Sequence, residues 1–175
     1  LHEFFKFDGL SILLADEDQR QLMVSYIYGD MINEDQIRRY KNIHIPLNSN
    51  DTVNTFVFHK KNPFYFSGVT PEMIQLPLDK KVYEIEPFSS VLILPLEVQN
   101  RVIGVMDFYG VNTNFNLTDK DIETIKKYVS QVSTAINNAR LTRETQNALA
   151  EARAKEQEIA YINQVIQTVN STLDF

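Results

Sequence analysis

Short apolar runs separated by polar turns make up the chain as far as residue 110. Four runs have strand length and are rich in apolar, β-branched and aromatic residues: 9–15, 22–28, 90–96 and 102–109. Residues 64–66 read as a short strand, and Pro46 makes residues 43–47 an edge strand or a loop. Because strands and helices do not alternate regularly, the pattern predicts an antiparallel sheet covered by helices, an α+β fold.

Helix signals lie between these runs. The N-cap residues 48–51 predict a helix beginning near Val53, which Asn62-Pro63 ends. Residues 34–40 are consistent with a short helix or with a mobile surface segment. Residues 67–86 contain two prolines and a Lys-Lys pair, so we expect the least ordered part of the domain there, and a lid is one interpretation of it.

A single long helix is predicted from Thr118 to about residue 170. Thr118 is a suitable N-cap, and two aspartates in the first turn favour the helix dipole. An apolar stripe ends near residue 136, and a second, heptad-spaced stripe begins out of phase with it. We therefore expect a domain over residues 1–140 and a parallel coiled-coil helix over residues 141–175. The predicted dimer seam is Leu141, Ala148, Ala152, Ile159, Ile162, Ile166 and Val169.

The polar middle of this seam has two interpretations. One interpretation is a signalling switch, because a weak seam allows two helix packings of similar energy. The other is a passive spacer. The chain begins at Leu1 without Met and ends at Phe175 within an apolar pattern, so we expect it to come from a longer protein.

Five segments together resemble the GAF domain family. They are Phe-Asp-Gly-Leu-Ser-Ile-Leu-Leu at 7–14, Pro-Phe-Tyr-Phe at 63–66, Ser-Ser-Val-Leu-Ile-Leu-Pro-Leu at 89–96, Val-Ile-Gly-Val-Met at 102–106 and Phe-Asn-Leu-Thr-Asp-Lys-Asp at 115–121. The resemblance implies an antiparallel sheet of about six strands, helices on both faces, a small-molecule pocket and a dimer through the terminal helices. It also implies a multidomain signalling parent, with a downstream output domain of cyclase or kinase type.

Composition excludes several functions. A net charge of −6 and a pI near 5.1 argue against binding nucleic acid. No apolar run is long enough to span a membrane, no secretory signal is recognisable, and a cytoplasmic location is expected. The absence of Cys excludes thiolate chemistry and a thioether-linked bilin.

The residues that would bind a cyclic nucleotide or a haem also have simpler structural interpretations. Asn112, Phe115 and Asp119 match the spacing of a cyclic-nucleotide signature, but Thr113 and Lys120 replace its Lys–Glu pair. The simpler role is core packing by Phe115 and helix capping at residues 118–119. A haem would need an axial histidine such as His44 or His59, but the histidines have no ligand spacing.

Asp107 is the strongest pocket candidate because it interrupts an apolar strand. Alternation places it on one face with Ile103, Val105 and Tyr109, either in a pocket or at a wet strand end. The predicted lining is Phe58, Phe66, Tyr83, Ser89, Ser90, Asp107 and Tyr109, suited to a small planar ligand such as a cyclic nucleotide. The alternative is that Phe58 and Phe66 are ordinary core residues. No nucleophile–base pair or metal cluster indicates an enzyme. The two hypotheses are a small-molecule sensor and a ligand-free dimerisation or spacer module.

Overall fold

The computed structural model describes residues 5–29, 32–111 and 113–173, with side chains as far as residue 168. The chain divides into two compact units, Leu1–Thr134 and Ala135–Phe175. The first unit carries the sheet, the short helices and the beginning of the long helix. The second contains the rest of the long helix.

The first unit is built on one antiparallel sheet of six strands. The strands are β1 Gly9–Ala15, β2 Gln21–Gly29, β3 His44–Pro46, β4 Phe64–Ser67, β5 Ser90–Val98 and β6 Arg101–Gly110. Their order across the sheet is β3-β2-β1-β6-β5-β4. This arrangement, with its helices, confirms the predicted α+β class. Pro46 lies in the edge strand β3, where a missing backbone donor is tolerated.

The two faces of the sheet have different neighbours. Leu92, Met106 and Phe108 are buried on one face, where the Phe7 ring lies 4.6 Å from that of Phe108. The opposite face carries Ser11 and Asp107, paired in register between β1 and β6. Part of this second face packs in a core cluster consisting of Leu13, Leu22, Ile45, Leu47, Val57, Phe58, Ile93, Val102 and Val105.

Two short helices cover the second face. Helix α1, Glu34–Lys41, begins with a capping box between Asn33 and Gln36, which settles the helix reading of this segment. Helix α2, Val53–Lys60, has Thr52 as its N-cap. The N-cap therefore falls one residue after the predicted cluster at 48–51, because the Thr52 hydroxyl is the group that accepts from the backbone N–H of Asn54.

Residues 67–86 are more regular than the sequence pattern suggested, and that prediction is wrong. They form a 3₁₀ turn, Pro71–Met73, followed by helix α3, Pro77–Ile85. Pro77 occupies the first turn of α3, where its missing N–H has no intrahelical partner to lose. The Leu78 N–H donates to Asp51 O at 3.0 Å, and this bond fixes α3 beside the start of α2.

The last helix, α4, spans Asp119–Leu173. Its start is capped as predicted: the Asp121 N–H donates to Thr118 Oγ1, and the Thr118 N–H donates to Asp121 Oδ2. Ile125 and Val129 are buried in the first unit. None of the helices among the described residues has the length and hydropathy needed to span a membrane.

Candidate ligand-binding site

A cavity of about 390 Å³ lies on the second face of the sheet. All six strands contribute side chains to it: Ser11, Val24, Ile45, Phe64, Ile93 and Asp107 each represent one strand. Helices α1 and α2 and the 67–86 segment supply the other walls. The volume lies within the range of small-molecule sites in proteins. The second face is therefore both a packed core and, toward one end, a cavity.

Asp107 is held by two neutral donors at the wall of this cavity. The Asn54 amide nitrogen lies 2.9 Å from each carboxylate oxygen, and Ser11 Oγ donates to Oδ2 at 3.2 Å. Asn54 and Ser11 are 8% and 7% exposed, so the network is almost closed to solvent. Register explains the contact with Ser11, since the two residues are direct partners across β1 and β6.

A second carboxyl group, Asp79 of α3, joins this network through the cap of α2. The Thr52 hydroxyl lies 2.5 Å from Asp79 Oδ1 and 3.0 Å from Asn54 Oδ1. Asp79 Oδ2 also accepts from the Val53 N–H at 3.1 Å. A chain of polar groups thus runs from α3 through the N-cap of α2 to β6. This chain anchors the 67–86 segment, which carries Val69, Met73, Ile74, Leu76 and Val82 on the cavity wall.

Burial makes ionisation costly throughout this region. Desolvation raises the pKa of Asp107 to about 7, although the Asn54 and Ser11 hydrogen bonds favour the charged form. Burial likewise raises the pKa of Asp79 and of Glu86. Tyr40 and Tyr109, which line the cavity, also have raised pKa values, first because they are buried and then because of nearby negative charge.

We expect the free energy of unfolding to fall as the pH rises from about 4 to about 8. A carboxyl group whose pKa is higher in the folded than in the unfolded protein stabilises the fold at pH values below the unfolded pKa. This contribution is lost as the pH rises from the unfolded pKa through the folded pKa. Asp107 accounts for up to about 4 kcal/mol of this change, because one pKa unit corresponds to 1.36 kcal/mol. Urea denaturation across this range measures it. Asp107→Asn should flatten the profile, and a stability that rises with pH would contradict the assignment.

Three of the seven predicted pocket residues line the cavity. They are Phe66, Asp107 and Tyr109. Asp107 therefore faces a pocket rather than a wet strand end. The Tyr109 ring lies over Gly9, where a Cβ atom would come within 2.4 Å of it, so the absence of a side chain at residue 9 gives the ring its place.

The other four predicted residues lie outside the cavity lining. Phe58 is 8% exposed within the core cluster. Tyr83 contacts Phe88, with ring centroids 5.3 Å apart. Ser89 Oγ donates to Gly110 O and Ser90 Oγ to Thr113 O, so both hydroxyls serve the connection after β6. Their roles in the structure are packing and loop anchoring.

Sequence reasoning missed the partners of Asp107. Ser11 is a hydroxyl residue within an apolar strand, a signal of the same kind as Asp107, and could have been singled out. Asn54 and Asp79 carry no such signal, because a polar residue near the start of a helix is ordinary. Only the packing of α2 on the sheet, and of α3 beside the start of α2, brings their side chains to the cavity.

Phe115 and His59, which belong to the alternative ligand sites, have structural roles in the fold. Phe115 is buried, with its ring 4.9 Å from that of Phe7, as the core-packing interpretation predicted. Asn112 lies outside the described residues. The His59 ring nitrogen lies 2.6 Å from Leu47 O. Across the described parts of the chain, no group of His, Cys, Asp and Glu side chains is arranged to hold a metal ion.

The predicted dimer seam lies on the helix of the second unit. Four of its residues, Leu141, Ile159, Ile162 and Ile166, are between 48% and 59% exposed. Ala148 and Ala152 are also exposed, and the Val169 side chain lies outside the described part of the chain. Large apolar side chains at heptad spacing are therefore uncovered within this unit.

Several solved structures have the same fold as this chain. A methyl-accepting chemotaxis protein, residues 122 to 287, matches with a TM-score of 0.62 and 24% identity over 81% of this chain and 84% of that one. The GAF domain/HD domain protein from Geobacter sulfurreducens gives a TM-score of 0.65 and 16% identity over 80% and 86% of the two chains. The GAF domain of a two-component sensor histidine kinase from Bacillus halodurans gives 0.59 and 16% over 77% and 84%.

Sequence comparison identifies the family. No curated protein sequence matches the chain. The profile of the GAF domain family matches residues 1–136, which contain the six described strands and the whole cavity. GAF domains are regulatory modules of signalling proteins. The strand order, the cavity on one sheet face and the family profile agree, and the chain belongs to the GAF domain family.

Proposed function

We propose that this GAF domain is a sensor that binds a small molecule in the cavity beside Asp107 and transmits its occupancy through helix α4. The single observation that carries the proposal is a cavity of about 390 Å³ whose wall includes a buried, hydrogen-bonded carboxyl group. A buried carboxyl is costly to the empty protein. Such a group facing a cavity is better explained by a ligand than by packing.

The 67–86 segment is the element that would respond to the ligand. It supplies part of the cavity wall, and Asp79 connects it to the cap of α2 and, through Asn54, to Asp107. A ligand that competes for Asp107 would therefore disturb the same chain of contacts that anchors this segment. The movement of such a segment is a common response to ligand binding in regulatory domains.

Transmission would use a parallel homodimer formed through the seam of α4. Its support is the exposed apolar side chains at heptad spacing, which a second copy of the helix would cover. The output would be a further domain of cyclase or kinase type in the same protein, in the cytoplasm. The neighbouring structures from a chemotaxis protein and a sensor histidine kinase support a signalling context of this kind.

A ligand-free dimerisation or spacer module is the second candidate. The exposed seam favours it as strongly as it favours the sensor, because a dimer does not require an occupied cavity. The two functions differ only in whether a ligand occupies the cavity.

Filling the cavity tests the sensor function. Val91 of β5 lines the cavity, and Val91→Phe is expected to occupy ligand space at a cost of about 1 to 3 kcal/mol in stability. Native mass spectrometry after incubation with a metabolite extract should show a small-molecule adduct on the original chain and none on the variant. Thr134→Phe, which adds a ring at an exposed site, should keep the adduct. If no small-molecule adduct appears on the original chain, the sensor function is contradicted and the spacer function is retained.

A further inference from the structure

The described lining of the cavity includes acidic side chains and no basic one. Its titratable residues are Tyr40, Asp79, Asp107 and Tyr109, and among the described lining residues there is no Lys, Arg or His. Glu86 is a further acidic group near the wall, since its carboxylate raises the pKa of both tyrosines. Glu86 is 5% exposed, and its Oε2 atom has no hydrogen-bond partner within the described structure.

The basic residues of the covering helices do not enter the wall. Arg39 of α1 and Lys80 and Lys81 of α3 are all exposed. Arg39 lowers the pKa of Tyr40, but burial, Glu86 and Asp107 each raise that pKa by more. A buried charge that lacks an opposite partner is strongly unfavourable. An anionic ligand would therefore meet two or three carboxyl groups and no counter-charge.

Asp107 has hydrogen-bonding capacity left for a ligand. A carboxylate offers about four acceptor positions. Asn54 uses one on each oxygen, and Ser11 uses a second on Oδ2, which leaves one position on Oδ1. Asp107 itself is partly accessible and lies on the cavity wall, so the accessible part is reached from the cavity. The group that fits this position is a donor, and a charged donor fits best.

The rest of the wall suits an apolar or aromatic ligand body. Five aromatic rings belong to the wall, those of Tyr40, Phe64, Phe66, Phe88 and Tyr109, and Ile45 and Ile93 are among the aliphatic side chains. Aromatic faces also attract organic cations through the negative potential of the ring face. The cavity is at the small end of the range for ligand sites, which limits the ligand to a small molecule.

We propose that the cavity binds a small organic cation, a protonated amine on an apolar body, whose ammonium group donates to Asp107. The inference rests on the proposed function, because it names the ligand class of the same cavity. It also separates this site from a cyclic-nucleotide site, since the phosphate of a cyclic nucleotide is an anion and would find no cation on the described wall.

A series of probes with one shape and three charges tests the ligand class. The probes are 2-phenylethylamine, 2-phenylethanol and 3-phenylpropanoate, titrated calorimetrically into the whole chain up to about 10 mM at about pH 8, where an alkylamine is protonated and Asp107 is ionised. The amine should bind at least about tenfold more tightly than the alcohol, and the carboxylate more weakly than either. Cyclic AMP, run alongside, should not bind.

Asp107→Asn removes the charge at nearly constant shape. It should weaken amine binding at least about tenfold and leave alcohol binding within about twofold. Retained alcohol binding also shows that the variant is folded, and the probe series on the unchanged chain stands without the variant. The cation proposal is overturned if the alcohol, the carboxylate or cyclic AMP binds as well as the amine, or if the amine does not bind. The Val91→Phe mass-spectrometry experiment then decides separately whether the sensor function survives.

Discussion

Gly104→Ala is expected to lower the free energy of unfolding by about 3 kcal/mol or more, a large part of the stability of an ordinary domain. Gly104 lies in β6 opposite Leu14 of β1. A Cβ atom at residue 104 would lie 2.1 Å from the Leu13 carbonyl oxygen and 3.0 Å from the Leu14 Cα atom. Both are backbone atoms, so no side-chain rotation relieves the clash, and two central strands would have to separate.

Urea denaturation followed by circular dichroism measures this effect, with Gly29→Ala as the matched control. Gly29 ends β2 in the same sheet, but a Cβ atom there would meet its nearest neighbour, in Ile32, at 3.5 Å. An alanine without strain lowers the entropy of the unfolded chain and should leave stability unchanged or raise it by up to about 1 kcal/mol. Equal effects at the two glycines would contradict the close approach of β1 and β6.

The double substitution Ile159→Asp and Ile166→Asp is expected to yield monomers where the original chain forms the proposed parallel dimer. The two residues are seven apart on the exposed seam of α4, so both would be buried at a helix pair. Each unpaired carboxylate at such a seam costs several kcal/mol, and two per chain should raise the dissociation constant at least about 1,000-fold. Size-exclusion chromatography with multi-angle light scattering gives the mass directly.

Tyr161→Asp with Thr168→Asp is the matched control for the seam. It adds the same charge at the same seven-residue spacing, two positions further along the helix and therefore off the seam. The control should remain dimeric. Dimers in both variants would remove the coiled-coil assignment, and a trimeric mass for the original chain would contradict the parallel dimer, because isoleucine at both core positions also suits larger assemblies.

The strands and the long helix were largely readable from the sequence because their signals are local. Apolar runs predicted β1, β2, β4, β5 and β6 within about two residues of their bounds, and Thr118 with Asp121 marked the start of α4. The segment 67–86 was not readable in this way. Its prolines resemble breakers in sequence, and whether Pro77 interrupts or begins a helix depends on what packs against the segment.

The candidate site was only partly readable. Strand alternation placed Asp107 and Tyr109 on one face, and both line the cavity. The same reasoning could not exclude Phe58, which lies in the core cluster, or Ser90, whose hydroxyl anchors the loop after β6. The local sequence around an aromatic residue or a serine does not distinguish a pocket position from a core or turn position.

The sequence by itself determined the strand content, the α+β class, the family and the exposed heptad seam, because periodicity and motifs are properties of neighbouring residues. Tertiary structure alone decided what surrounds Asp107. Ser11 lies 96 residues away along the chain and Asn54 lies 53, and the pairing of β1 with β6 and the packing of α2 bring them together. The hydrogen-bonded carboxyl group on the cavity wall is therefore a product of those long-range contacts.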